Sequence, residues 1–250
     1  MTAIDRRAVL RSLAAALLVN RRAMSAEREQ MGPQKLTFAM RHRGADVAAM
    51  QFDVDAPDEG VVRSRGNMET TGLVRLLEGA RQSSLESVSR LTEGMLQPLS
   101  FRAVYKKPDR KREITIDYGP DGDIAELSLI NNGKSRSSDV PEGLWADTVD
   151  PLTSILRLQD WLTRQVDHGS SGQTVSQVFD GRSRWDFELS FEPPVIELVI
   201  RSIIGFDDDD LIVTLPNDED SRALRIELAD RQLATPEIVE GKRTILELVS

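Results

Sequence analysis

Trp185-Asp186-Phe187-Glu188-Leu189-Ser190-Phe191-Glu192 alternates apolar and polar side chains without a break. A period of two puts every apolar group on one face of an extended strand and every polar group on the other, so this stretch reads as a strand with one dry and one wet face. Asp180-Gly181, just upstream, is a strong hairpin-turn pair. The strand after it places Arg182, Arg184 and Asp186 on the polar side, with Trp185 and Phe187 in the core.

The same alternation recurs to either side. Leu36, Phe38 and Met40 alternate with polar neighbours, as do Met50, Phe52 and Val54, with Arg43-Gly44-Ala45-Asp46 between them as a hairpin loop. Leu99, Phe101, Ala103 and Tyr105 pair with Ile114, Ile116 and Tyr118 across Lys107-Pro108-Asp109-Arg110, where proline presets a type I turn. Gly119-Pro120-Asp121-Gly122 closes that strand, and Ile124 to Ile130 follows before the Asn131-Asn132-Gly133 loop. Further strands are predicted at Val195 to Ile204, Leu211 to Leu215, Leu224 to Leu228 and Thr244 to Val249. Turn signals spaced about 8–14 residues apart suit an antiparallel barrel or sandwich.

One helix interrupts this pattern. Asp150 is an N-cap, Pro151 sits at the first helical position where its missing N–H costs nothing, and Leu152 to Val166 holds no breaker. Leu152, Ile155, Leu156, Leu162 and Val166 share one stripe, so this helix packs against the sheet or plugs a barrel. A weaker helical stretch runs from Leu73 to Leu77 and ends at Gly79. With no internal repeat and no break in composition, residues 34–250 read as a single β-rich domain.

The N-terminus carries an address. Arg6 and Arg7 precede Val9, Leu10 and Arg11, then an apolar run from Leu13 to Val19 and small residues around Ala23, Ser25 and Ala26. As a helix the apolar run reaches about 10 Å, a third of a bilayer's hydrocarbon thickness, so it is not a membrane span. Residues 1–26 are expected to be a signal peptide resembling the twin-arginine type, with Asp5 where Ser or Thr is usual, and 27–33 a short linker. The periplasm is the compartment this predicts. Loss of residues 1–26 would remove five arginines and one aspartate and move the net charge from -9 to -13.

Composition excludes several chemistries. The chain has 250 residues, 40% of them hydrophobic and 29% charged, with no cysteine and two histidines. That removes disulfides, thiolate catalysis and Cys-ligated metals, and it leaves no expected metal site or cofactor. His42 and His168 have no carboxylate or histidine at ligand spacing. The acidic balance argues against nucleic acid, which needs a basic footprint. No nucleophile motif of the Gly-x-Ser-x-Gly kind occurs, so no catalytic residue is assigned and an enzyme is not expected. Gly133-Lys134-Ser135 is like the end of a phosphate loop, but Ser128 stands where the first glycine is needed.

Three charged features have two readings each. Arg182, Arg184, Trp185 and Asp186 are either the turn and solvated face of an amphipathic strand, or a ligand-binding group in which two arginines beside an aromatic hold an anionic head. Lys106, Lys107, Arg110, Lys111 and Arg112 form the densest basic patch, either a soluble hairpin tip or a weak contact for anionic lipid or peptidoglycan. Asp207-Asp208-Asp209-Asp210 lacks the spacing of a calcium loop and reads as a charged tip that blocks edge pairing.

Thr71-Gly72-Leu73-Val74, Leu96-Gln97-Pro98, Asp150-Pro151-Leu152-Thr153-Ser154-Ile155-Leu156 and Val178-Phe179-Asp180-Gly181-Arg182-Ser183-Arg184-Trp185-Asp186 occur in this order. Together they resemble the exported bacterial "domain of unknown function 3108" family over residues 34–230. The resemblance implies an antiparallel, curved or incompletely closed β-barrel, like that of periplasmic lipoprotein carriers, with one packed amphipathic helix. Relatives often have a cysteine before the Phe-Asp-Gly segment; Ser170-Ser171-Gly172 stands there instead. No established activity comes with the family. The expected role is an exported periplasmic protein that binds a hydrophobic or lipid-like ligand or an envelope partner. A purely structural envelope component is the alternative, and an enzyme acting on cell wall or lipid is the third reading.

Overall fold

The computed structural model describes residues 34–42, 45–72, 75–76, 79–205, 223–227 and 244–248. The leader expected at 1–26, the linker expected at 27–33, the acidic run Asp207–Asp210 and the strand expected at Leu211 to Leu215 lie outside the described residues. Of the weak helix expected from Leu73 to Leu77, Arg75 and Leu76 are described and are helical.

A meander of antiparallel strands opens the domain: β1 (Gln34–His42), β2 (Ala45–Asp58), β3 (Val61–Thr70), β4 (Gln82–Thr92), β5 (Met95–Lys107), β6 (Arg110–Tyr118), β7 (Ile124–Asn131) and β8 (Lys134–Arg136). The helix α1 (Pro151–His168) follows, then β9 (Gly172–Phe179), β10 (Arg184–Glu192), β11 (Val195–Ile204), β12 (Ala223–Glu227) and β13 (Thr244–Leu248). The strands form two sheets. The larger has the order β13-β1-β2-β3-β4-β5-β6-β7-β8, and the smaller β12-β11-β10-β9. Strand β13 returns from the end of the described chain to pair with β1, Phe38 opposite Leu248.

The fold is mainly β, antiparallel, with one helix, as expected. No closed barrel forms among the described residues, because β8 and β13 are the unpaired edges of the large sheet. Register shifts at Asp55/Asp58, Val88/Ser89 and Asp117/Tyr118 mark bulges, which bend strands and increase their twist. The Leu96-Gln97-Pro98 segment, expected as a turn before a strand, instead lies inside β5; Glu93-Gly94 makes the turn. Pro98 pairs at the Val88/Ser89 bulge, where a ladder already interrupted tolerates a residue without an N–H.

Strands β3 and β4 escape a search for apolar alternation. Their inward positions are Val62, Ser64, Gly66 and Met68 on one, and Ser83, Leu85, Ser87 and Ser89 on the other, with Ser64, Ser87 and Ser89 each 1% exposed. Small inward groups leave room above the sheet, and α1 fills it: a Cβ on Gly66 would stand 3.4 Å from Leu152. The helix is therefore buried on two sides, by β3–β5 below and by β9 and β10 above.

Two apolar clusters result. The first joins Phe38, Phe52 and Val54 of the large sheet to Leu152, Ile155, Leu156 and Leu162 of α1 and to the inward row of β10, Trp185, Phe187, Leu189 and Phe191. The second joins Phe101, Ile114, Ile116 and Leu129 to Val140 and Phe179, with Trp145 stacked on Phe179 at 5.5 Å.

Candidate functional site

The start of α1 is a polar seat inside the protein. Asp150 is fully buried. Its Oδ1 accepts hydrogen bonds from the backbone N–H groups of Leu152 and Thr153, each at 3.0 Å, which satisfies two of the donors left free at a helix start. Its Oδ2 accepts from the hydroxyls of Thr153 at 2.6 Å and Ser87 at 3.0 Å. Thr153 in turn lies 2.7 Å from the Ser89 hydroxyl, and Ser154 bonds Ser176 of β9 at 2.7 Å. These hydroxyls clamp α1 to both sheets. Burial pushes the Asp150 carboxyl above its ordinary range, against the pull of the four hydrogen bonds. Burial also pushes the Tyr118 phenol well up, with Asp150 adding to the effect and Arg157 opposing it.

Beyond this seat, α1 walls a cavity of about 570 Å³. One lip is made by the β2–β3 and β4–β5 turns, which are joined by the Leu91 N–H donating to the Gly60 carbonyl at 2.7 Å. The other lip is β9, the edge strand of the small sheet. Val54, Val62, Leu96, Leu156 and Trp161 supply apolar wall. Leu91, Met95 and Val175 line it while remaining 37%, 58% and 57% exposed, which places apolar surface at its mouth. A volume in the range of small-ligand sites, an apolar lining and a few polar groups are the ordinary attributes of a binding cavity.

Arg157, Asp160, Trp161 and Arg164 present one stripe of α1 to the same cavity. Arg164 pairs with Asp160 at 2.6 Å, one turn apart. Arg157 is half-buried and donates its Nε–H to the Leu96 carbonyl at 2.6 Å. Burial lowers its pKa below the ordinary arginine value, while Asp150 and Tyr118 act in the opposite sense.

The residues singled out from the sequence are placed elsewhere. Arg182 is buried in the β9–β10 turn, its Nε 3.0 Å from Asp139 Oδ2. That turn is closed by Asp180, whose Oδ1 accepts from the Arg182 and Ser183 N–H groups at 2.9 and 2.7 Å. Gly181, at φ 95°, presses on Ile114, so the turn is a lid on the second apolar cluster rather than an exposed hairpin tip. Arg184 pairs with Asp186 at 3.1 Å and donates to the Leu144 carbonyl at 2.6 Å. Asp186 also accepts from Ser202 at 2.8 Å. Trp185 is 4% exposed and meets Phe187 edge-on. None of these four residues lines the cavity.

The basic patch is the end of the β5–β6 hairpin, as expected, with Lys106 opposite Lys111 and Lys107 opposite Arg110. Lys111 pairs with Glu113 at 2.8 Å. Arg112 lies across from Tyr105 and is half-buried.

Ser87, Ser89, Arg157 and Trp161 were not read as site residues from the sequence. The signal for the helical pair was present as spacing: Arg157, Asp160, Trp161 and Arg164 recur at i, i+3, i+4 and i+7, a second stripe beside the apolar one. For the serines the signal was alternation of small polar groups, which looks the same on a wet face as on a dry one.

A family model described as "Protein of unknown function (DUF3108)" matches residues 33–193. The match takes in β1 to β10, hence α1, the polar seat and the cavity walls. No curated protein and no solved structure matches the chain.

Proposed function

We propose a ligand-binding role for this chain, which belongs to the DUF3108 family: it is an exported protein of the periplasm that holds a hydrophobic or lipid-like molecule between α1 and its two sheets. The observation that carries this reading is the cavity itself, with Val62, Leu96 and Leu156 inside and Leu91, Met95 and Val175 exposed at its mouth. Exposed apolar side chains gathered at one opening mark interaction sites, whereas scattered ones need no explanation. An open antiparallel sheet wrapped on one helix suits a carrier, since the opening between the sheets admits a ligand without unfolding a closed barrel. Among the described residues no helix is long and apolar enough to cross a membrane. The Arg6-Arg7 leader supplies the export half of the proposal.

Organic extraction of the purified chain, followed by mass spectrometry, tests the binding half. A hydrophobic molecule close to stoichiometric is expected, or uptake of a fluorescent apolar probe if purification strips it. Val62→Trp, which projects an indole into the cavity, is expected to reduce uptake several-fold while the melting transition is retained. A chain that carries nothing and takes up no probe overturns the reading. Cell fractionation of the Arg6→Lys, Arg7→Lys double variant tests the route: mature-size protein still reaching the periplasm would rule out twin-arginine export.

A further inference from the structure

We infer that the cavity selects a monoanionic amphiphile, a carboxylate on an apolar chain, and that Arg157 reads its charge. This rests on the hydrophobic-ligand role and names the chemistry of the ligand. Of the charged groups on the cavity wall, Asp160 and Arg164 satisfy each other at 2.6 Å. Asp147 stands exposed at the rim, where water screens it. Arg157 differs from all three. It is half-buried, its Nε–H is committed to the Leu96 carbonyl, and among the described residues no carboxylate lies within ion-pair distance of it.

Asp150 helps only through space. Its two oxygens are already occupied by the Leu152 and Thr153 N–H groups and by the Thr153 and Ser87 hydroxyls. An arginine cannot shed its proton to escape burial, so its guanidinium remains a partly desolvated cation beside Leu96, Leu156 and Trp161. The direction of its pKa agrees: burial outweighs the favourable pull of Asp150 and Tyr118. A ligand carboxylate at this position restores the lost interaction through the two terminal nitrogens, a planar fork that matches a carboxylate. Among the described residues of the cavity wall the other guanidinium, Arg164, is paired with Asp160, so one cation awaits the ligand; with the chain's net charge of -9 this favours one negative charge over two. The ligand's apolar chain then lies along Val62 and Leu96, towards Leu91, Met95 and Val175.

Titration calorimetry of the full chain with decanoate and with decanol, at pH 7.5, separates charge from apolar surface. Decanoate is expected to bind about tenfold more tightly or better. Arg157→Gln, which keeps a donor for the Leu96 carbonyl, is expected to bring decanoate down to the level of decanol; Arg157→Lys keeps part of the preference. Equal affinities in the unaltered chain overturn the inference without recourse to any variant, as does a folded Arg157→Gln protein that still prefers decanoate. Decanol binding with no preference for decanoate removes the role of Arg157 and leaves the hydrophobic-ligand reading standing. Binding of neither compound removes both.

Discussion

The inner face of the large sheet is covered in two different ways. Over the β5–β7 end of the sheet the cover is dry: Phe101 and Ile116 are fully buried, Phe179 closes the cluster, and the Asp180–Gly181 turn lies directly on Ile114. Over β3 and β4 the cover is α1, seated through hydroxyls and one buried carboxylate. A dry contact is strong and non-directional. A hydroxyl network contributes less per group, but it fixes the register of the helix, because Ser87, Ser89, Asp150 and Thr153 reach one another only when α1 sits at this position on β4. The cavity opens beside the second kind of contact. A helix positioned by hydrogen bonds can leave space next to it without the sheet collapsing onto the gap.

This comparison can be broken at either end. Phe101→Ala in the dry cluster should cost the most, about 4 kcal/mol, as a large cavity among aromatic and branched side chains. Urea unfolding of the full chain measures it, and the cavity beside α1 should keep its ligand uptake. Asp150→Ala comes next at about 3 kcal/mol, from a lost helix cap plus hydroxyls left without their acceptor. Here uptake should fall together with stability, since α1 carries one cavity wall; loss of stability alone would separate the seat from the site.

Asp150→Asn sharpens the same point through pH. The folded pKa of Asp150 is raised, so its favourable contribution is present in full below the unfolded value of 3.8 and is lost as pH rises through the folded one. Relative to Asp150→Asn, the unaltered protein should therefore lose stability as pH is raised across that window. The opposite slope would mean that the four hydrogen bonds outweigh burial.

Gly181→Ala should cost about 2 kcal/mol, because the new methyl group meets Ile114 and the backbone sits at φ 95°. It should loosen the dry end without altering ligand uptake. Smallest of all is Arg65→Ala on the wet face of β3. Its pairs with Glu86 at 2.8 Å and Asp55 at 3.2 Å are about half exposed and worth roughly 0.5 kcal/mol.

Much of the architecture was legible in advance. The Trp185–Glu192 alternation, the Asp150-Pro151 helix start and the Lys107–Arg110 hairpin each rest on a local rule, and each stands as expected, with α1 extending two residues past Val166 to His168. The candidate site was not legible in the same way. Arg182 and Arg184 attracted attention as charges beside an aromatic, yet their partners are Asp139, Asp186 and the Leu144 carbonyl. Asp139 is 43 positions from Arg182, and no spacing rule reaches so far. Strands β3 and β4 show no clean apolar alternation because five of their eight inward residues are serine or glycine, small enough to make room for a helix that arrives some 60 positions later.

The sequence by itself determined the strand periodicity, the Lys107–Arg110 turn and the start of α1, because each depends on neighbours within a few residues: alternation at period two, a proline that presets a turn, a cap followed by a proline. Only the tertiary structure decided that Ser87 and Ser89 face inward, that Asp150 is a buried anchor as well as a cap, and that Arg157 stands at a cavity with its Nε–H on the Leu96 carbonyl. Burial is a property of what covers a residue. In an antiparallel sheet that cover comes from distant chain, so the meaning of a serine or an arginine is settled by packing and not by its neighbours in sequence.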